Sequence, residues 1–205
     1  MPPSLIAAIA DRLLYRSGYF RMVDATSARS AGAMAESIVA AFAPARVIDY
    51  GCGTGSLLAA LRARGVGVAG TEHSGVARRM SAAKGLDPLP LDLRSPPKQP
   101  PLGTADVAVS FEVAEHLPAT AADGLVGLLA ATAPIVVFGA ATPGQGGRGH
   151  VNEQPHDYWI AKFKSRGMDW DRPRSHAFRD SWRAAGVDFW YADNALVFRR
   201  DTSPS

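Results

Sequence analysis

Glu112, Glu115 and His116 fall within the stretch Ser110-Phe111-Glu112-Val113-Ala114-Glu115-His116-Leu117. If the chain turns helically there, the i, i+3, i+4 spacing brings the three side chains toward one face. Two carboxylates and an imidazole so placed can hold a divalent cation. Further along, residues 139–155 are rich in glycine, which rules out regular structure and makes a flexible loop carrying Gln145, His150 and Asn152. His150 is the candidate general base, because a neutral imidazole accepts a hydroxyl or ammonium proton near neutral pH; Glu112 or Glu115 would orient its ring. The same residues allow a second chemistry, in which Glu112, Glu115, His116 and His150 hold a metal ion that binds two acceptor oxygens and acidifies one. The metal-free version is preferred. His156 and His176 read as ordinary surface or interface residues.

An earlier stretch supplies the scaffold. Val47-Ile48-Asp49-Tyr50 is a short apolar run, Gly51-Cys52-Gly53-Thr54-Gly55 a tight turn, and Ser56 opens helical patterning. Strand, loop and helix N-terminus form a site where a ligand can approach main-chain N–H groups. Dinucleotide enzymes use G-x-G-x-x-G for pyrophosphate. Here Asp49 stands two residues before the glycines, where it would repel a pyrophosphate and attract a cationic amino-acid cofactor. Strands are expected at 47–50, 66–72, 89–93, 105–111, 134–138, 168–170 and 194–198, with helices between most of them. Residues 94–103, with four prolines, read as a surface loop. Before the first strand, helices are expected at 4–15 and 27–42, interrupted at Ser17-Gly18-Tyr19-Phe20 and ended by Pro44. Glu72 ends the second strand, where a doubly wound sheet places the acid that binds ribose hydroxyls.

The motif Asp49-x-Gly51-x-Gly53-x-Gly55 resembles the S-adenosylmethionine (SAM) loop of class I methyltransferases. The combination F-E-V-A-E-H-L, P-G-Q-G-G and H-V-N-E-Q-P-x-x-Y-W resembles more narrowly a bacterial and phage subgroup of them, over nearly the whole chain from Val47. The resemblance implies an α/β fold: a doubly wound, mostly parallel seven-stranded sheet with helices on both faces and N-terminal helices covering the cofactor. It implies SAM as cofactor, with Asp92 accepting from the adenine amino group and the main-chain N–H of Leu93 reading the ring. The cofactor set is then Asp49, Gly51, Gly53, Gly55, Glu72, Asp92, Leu93 and Glu112. The E-x-x-E-H pattern occurs in metal-dependent methyltransferases acting on small-RNA 2′-hydroxyls and ubiquinone precursors, and also in relatives that need no metal. The expected activity is methyl transfer to oxygen or nitrogen of a small polar, sugar-like or natural-product acceptor. The alternatives are a metal-dependent RNA 2′-O-methyltransferase-like enzyme and a SAM-binding regulatory protein.

Composition bounds the rest. The chain has 205 residues, 47% of them hydrophobic, which suits one domain: a helical cap over 1–44, a core over 45–200 and a tail over 201–205. A net charge of +3 comes from scattered arginines rather than a basic block, so charge does not call for nucleic acid. Cys52 is the only cysteine, which excludes an internal disulfide and fits a reducing cytoplasm. No membrane span is expected, and a monomer and a homodimer are both compatible with the sequence. Most aromatic residues should be core, while Trp190 and Tyr191 are candidates for an acceptor pocket or subunit contact.

Overall fold

The computed structural model describes residues 17–200. The expected helix at 4–15 and the tail at 201–205 lie outside this range, as does the Tyr19 side chain. The elements in chain order are α1 (Ser17–Phe42), β1 (Arg46–Tyr50), α2 (Ser56–Arg62), β2 (Gly67–Thr71), α3 (Gly75–Ala83), β3 (Val107–Phe111), α4 (Ala122–Thr132), β4 (Ile135–Gly139), α5 (His156–Lys164), β5 (Met168–Trp170), α6 (Arg172–Ala184), α7 (Phe189–Ala192) and β6 (Leu196–Arg200). They build a six-stranded sheet in the order β2-β1-β3-β4-β6-β5. The first four are parallel, and β6 runs antiparallel to both β4 and β5.

Alternation along the strands sorts the core into two layers. Ile48, Tyr50, Ala108, Val136 and Phe138 face Leu125, Leu128 and Leu129 of α4 and Trp159 and Phe163 of α5. Val47, Val107, Val109 and Val137 face Met34 and Ile38 of α1, Leu61 of α2, and Phe178 and Trp182 of α6. Such strands, buried on both faces, read as unbroken apolar runs. Trp159 and Trp182 are fully buried, so these aromatics are core as expected.

Two expectations are corrected. The sheet has six strands rather than seven, because Leu89 makes only an isolated bridge to Thr71. Leu89 N donates to Gly70 O at 2.9 Å and Leu89 O accepts from Glu72 N at 3.0 Å. The groups a further rung would use have other partners: Glu72 O accepts from Arg78 Nη1 at 3.0 Å, and Ser74 N donates to the Glu72 carboxylate. The interruption expected at residues 17–20 is also absent: α1 is continuous from Ser17. One glycine in a helix costs only about 1 kcal/mol, and burial of Phe20, Ala31, Met34, Ala35 and Ile38 outweighs it. Pro44 does end the helix. Short α7, which carries Trp190 and Tyr191, was not expected from the sequence.

Candidate active site

The carboxyl ends of β1, β2 and β3 converge on a cavity of about 660 Å³, roofed by α1, by α7 and by the loop after β4. This is the edge where open α/β sheets bind ligands. Gly51, Gly53 and Gly55 all have positive φ, at 84°, 53° and 78°. Gly51 also lacks room: a Cβ there would overlap the Val113 side chain. Its N–H and that of Cys52 donate to Thr71 O, which ties the turn to the end of β2.

Asp49 is buried at the end of β1 and lines the cavity. Burial, with the nearby Glu72 carboxylate, pushes its carboxyl up to about 8. Glu72 lies across the glycine turn, accepting from Gly53 N at 3.0 Å and from Ser74 N at 2.6 Å. Burial raises its pKa despite those two donors. Each oxygen keeps a further lone pair for a ligand hydroxyl. Asp92 and Leu93 also line the cavity. The Asp92 carboxylate is already clasped by Arg94, whose Nε and Nη2 approach to 2.8–3.0 Å and whose main-chain N donates at 2.9 Å. Burial acts to raise this carboxyl, but the Arg94 hydrogen bonds win and hold it below its usual range.

Helix α1 is fastened over the glycine turn by polar contacts. Lys84 Nζ reaches Asp24 Oδ1 at 2.5 Å and Thr54 O at 2.7 Å, and Ser27 Oγ donates to Ser56 Oγ at 3.2 Å. On the sequence these residues carried no signal, because each partner lies in a different element.

Beyond β3 the chain turns sharply, with Glu112 at φ 54° and a short 3₁₀ turn at Ala114–His116. Glu112 and His116 line the cavity, whereas Glu115 is fully buried behind them. Both Glu115 oxygens and Glu112 Oε1 lack a hydrogen-bond donor among the described residues. The two carboxyls lie against one another, so burial and their mutual repulsion raise Glu112, and burial raises Glu115. One proton shared between them relieves that repulsion. The other oxygen of Glu112 accepts from Gln145 Nε2 at 3.2 Å, and Gln145 Oε1 accepts from Asn194 Nδ2 at 2.7 Å.

His150 reaches the cavity from the loop, as expected. Its ring is oriented by Glu153 and not by Glu112 or Glu115: His150 Nδ1 and Glu153 Oε1 are 2.8 Å apart. Glu153 also accepts from Gly144 N at 2.9 Å and Gly146 N at 2.8 Å, closing the loop around one carboxylate. The hydrogen bond from His150 is the main reason its pKa falls. The far side of the ring rests on Gly147, where a Cβ would collide with Nε2. Glu153 was not expected at the site; its only signal in the sequence is the i+3 spacing from His150 within H-V-N-E.

Three further expectations change. Asn152 is buried and turned away from the cavity, its Nδ2 donating to Ala114 O at 3.4 Å while its main chain and that of Val151 bond Glu115 O. His156 is no surface residue: it is half-buried beside Arg179, with Nε2 unpartnered among the described residues, and burial lowers its pKa. His176 is exposed, as expected. The four-residue metal set loses Glu112, leaving Glu115, His116 and His150 with ligand atoms within 4.8 Å of one another. The His116 and His150 rings meet edge to face at 4.9 Å, and burial lowers the His116 pKa.

A glycine turn leading into a helix, an acid closing the second strand and a cavity over the carboxyl edge define a doubly wound fold that holds a nucleoside-containing ligand. Within that class the sequence assigns the chain to a family: residues 26–189 match the model described as a methyltransferase domain, and the chain belongs to it. No curated protein matches the sequence. Among solved structures, magnesium protoporphyrin IX methyltransferase from Synechocystis with bound S-adenosylhomocysteine (SAH) is 19% identical, with TM-score 0.60 over 82% of each chain. A sugar N-methyltransferase from Streptoalloteichus is 16% identical, with TM-score 0.63 over 83% of this chain and 87% of that one. Mitomycin 7-O-methyltransferase is 20% identical, with TM-score 0.61, covering 89% of this chain and 56% of its own. These likenesses establish the fold.

Proposed function

We propose that the protein transfers the methyl group of SAM to an oxygen or nitrogen of a small-molecule acceptor. The observation that carries this reading is that one cavity joins the Asp49–Glu72 end to the Glu112–Gln145–His150 end. A cationic amino-acid ligand fits the first end on this protein's own chemistry. Asp49 is a buried carboxyl with no cation beside it among the described residues, and an ammonium would restore its charge. Glu72, fixed by two main-chain donors, presents its free lone pairs to ribose hydroxyls, while Asp92 and Leu93 flank the base. SAM supplies an electrophilic methyl on a sulfonium, whose sulfur keeps the bonding electron pair as SAH leaves.

The chain then has two tasks, aligning the acceptor and taking its proton. Alignment of two bound reactants supplies about 7–11 kcal/mol of the barrier reduction. For the proton, Glu153 holds His150 Nδ1–H, so that Nε2, which rests beside Gly147 of the cavity lining, carries the lone pair. The acceptor's O–H or N–H proton passes to Nε2 as its heteroatom bonds the methyl carbon. Gln145, fixed by Asn194 and Glu112, lines the same end.

One observation favours a second reading, in which a divalent cation sits between Glu115, His116 and His150: the Glu115 carboxylate is buried without a hydrogen-bond donor among the described residues. The proton shared with Glu112 accounts for that carboxylate without a metal, and the base reading is preferred. Following SAH release over a panel of hydroxyl and amine acceptors, with and without EDTA, separates the readings. The base mechanism gives SAH release indifferent to EDTA. Activity abolished by EDTA and restored by one divalent ion establishes the metal mechanism. SAM binding without SAH release from any acceptor points to a regulatory protein.

A further inference from the structure

The outer wall of the cavity is apolar and bears on which acceptor it takes, an inference that rests on the methyl-transfer reading. Of the four exposed large hydrophobic side chains among the described residues, Met22 at 60% and Phe189 at 58% exposure both stand at the cavity mouth, on α1 and α7. Single exposed apolar residues need no explanation, but a pair facing one opening marks a binding surface.

From Phe189 the wall continues inward as a chain of rings. Phe189 meets Trp190 edge to face at 5.0 Å, Trp190 lies 6.1 Å from Tyr191, and Tyr191 meets Phe111 at 6.1 Å and 88°. All four line the cavity, and Phe111 is the residue before Glu112. The wall is preformed, because α7 is fastened to α1: Ser30 Oγ donates to Asp188 Oδ2 at 2.9 Å and accepts from Asp188 N at 3.1 Å. The hydroxyls on α1 that also line the cavity are spent nearby, Thr26 donating to Val23 O and Ser27 to Ser56. Polar groups for an acceptor are thus gathered at the inner end, at Gln145, Glu112 and His150.

We infer that the acceptor is a flat, aromatic-bodied molecule carrying one nucleophilic hydroxyl or amine, its rings stacked on the Phe189–Trp190–Tyr191 wall and its heteroatom at His150. Of the small polar, sugar-like and natural-product acceptors expected from the resemblance, this sets aside the sugar-like one. A sugar carries hydroxyls around its whole rim, and on this wall those hydroxyls would lose water without gaining partners.

The test is calorimetry on SAH-loaded protein with 2-naphthol and methyl α-glucopyranoside as probes. Naphthol should bind while the glucoside gives no heat at the same concentration. Phe189→Ser, at an exposed position, and Trp190→Ala should each weaken naphthol at least tenfold while SAH affinity stays within twofold. Val151→Ser, an exposed apolar residue away from the cavity lining, should change neither. Naphthol affinity unchanged in both wall variants, or glucoside binding without naphthol binding, overturns the aromatic assignment and leaves the methyltransferase reading intact. Absence of SAH binding to the unmodified protein overturns both.

Discussion

The two ends of the cavity treat their carboxylates in opposite ways. At the β1–β2 end, Glu72 is met by the amides of Gly53 and Ser74, and Asp92 is met by Arg94. At the β3–β4 end, Glu112 and Glu115 press against each other, with three of their four oxygens lacking a donor among the described residues. The first end is a finished mould, in which fixed dipoles await a ligand of known shape. The second stores unfavourable electrostatics, and such groups are where protons move. Asp49 is the exception in the first half: burial beside Glu72 raises it like the second pair.

The largest effect expected from breaking this contrast is at His150. His150→Ala should lower turnover by about 10²–10⁴-fold, the usual contribution of a positioned base, with SAM affinity nearly unchanged. Single-turnover assays with an identified acceptor measure it. Near-normal turnover would mean that the second end works by alignment alone. Next comes Glu72→Ala, which removes charge-assisted hydrogen bonds worth about 1.5–3 kcal/mol each. SAM affinity should fall by roughly that amount per lost bond while the fold persists, as read by calorimetry and circular dichroism. Unchanged affinity would remove Glu72 from the site.

The contrast also explains what was legible in the sequence. Asp49, the glycines and Glu72 act through turns and strand ends within one βαβ unit, where local spacing dictates position. The succession of strands and helices along the chain followed from the same alternation of apolar runs and helical patterns, but not the order of the strands within the sheet. The β3–β4 end is assembled from residues distant in sequence. That the motif Glu112-x-x-Glu115-His116 lay at the site could be read, but not that Glu115 would be buried and excluded from the cavity, since a short 3₁₀ turn replaced the helical turn that the spacing assumed. Asn152 looked like a ligand group because glycine-rich loops expose polar residues, yet its side chain is taken up inside the fold, donating to Ala114 O and accepting from Gln154 Nε2. The lost strand at residues 89–93 has a local cause, because Glu72 O and Ser74 N, which a longer ladder would use, bond to Arg78 and to the Glu72 carboxylate.

Glu153 sharpens the comparison further, because it is a finished contact placed inside the unfinished half. Glu153→Gln retains shape and an acceptor for the loop amides, but it removes the charge that stabilises a protonated His150. Turnover should fall by about tenfold, a modest part of what a general base supplies. Acceptor affinity should stay within about twofold, because the ring no longer gains a charged partner only when it takes up the proton. An equal loss of turnover and acceptor affinity would assign Glu153 to loop geometry only.

For Asp49 the prediction concerns stability. Its folded pKa, about 8, stands above the ordinary carboxyl value, so the folded state holds the proton more tightly than the unfolded chain. Stability from this group is therefore full in acid and is lost progressively as pH rises toward 8. A tenfold difference in proton affinity between the folded and unfolded chain corresponds to about 1.4 kcal/mol, and each kcal/mol to about 2–4 °C in melting temperature for a chain of this size. Ligand-free wild type should lose melting temperature between pH 5 and about pH 8 relative to Asp49→Asn, and saturating SAM should flatten that difference by placing a cation at the carboxylate. Parallel melting curves for the two proteins would deny the burial of charge at Asp49.

Asp92 should give the smallest effect, and the reason lies in how fully it is already used. Its carboxylate accepts from Arg94 Nε, Nη2 and main-chain N, so a cofactor amino group meets an acceptor whose charge is largely neutralised and whose remaining lone-pair capacity is small. A single neutral-donor hydrogen bond contributes about 0.5–1.5 kcal/mol. Asp92→Ala should therefore weaken SAM by a few-fold, well below Glu72→Ala, and Arg94→Ala should partly offset the Asp92→Ala loss in a double-mutant cycle, since the pair acts as one unit. A loss at Asp92 equal to or larger than that at Glu72 would show that Arg94 releases the carboxylate when cofactor binds. The first end of the cavity would then be a region that rearranges on binding rather than a preformed mould.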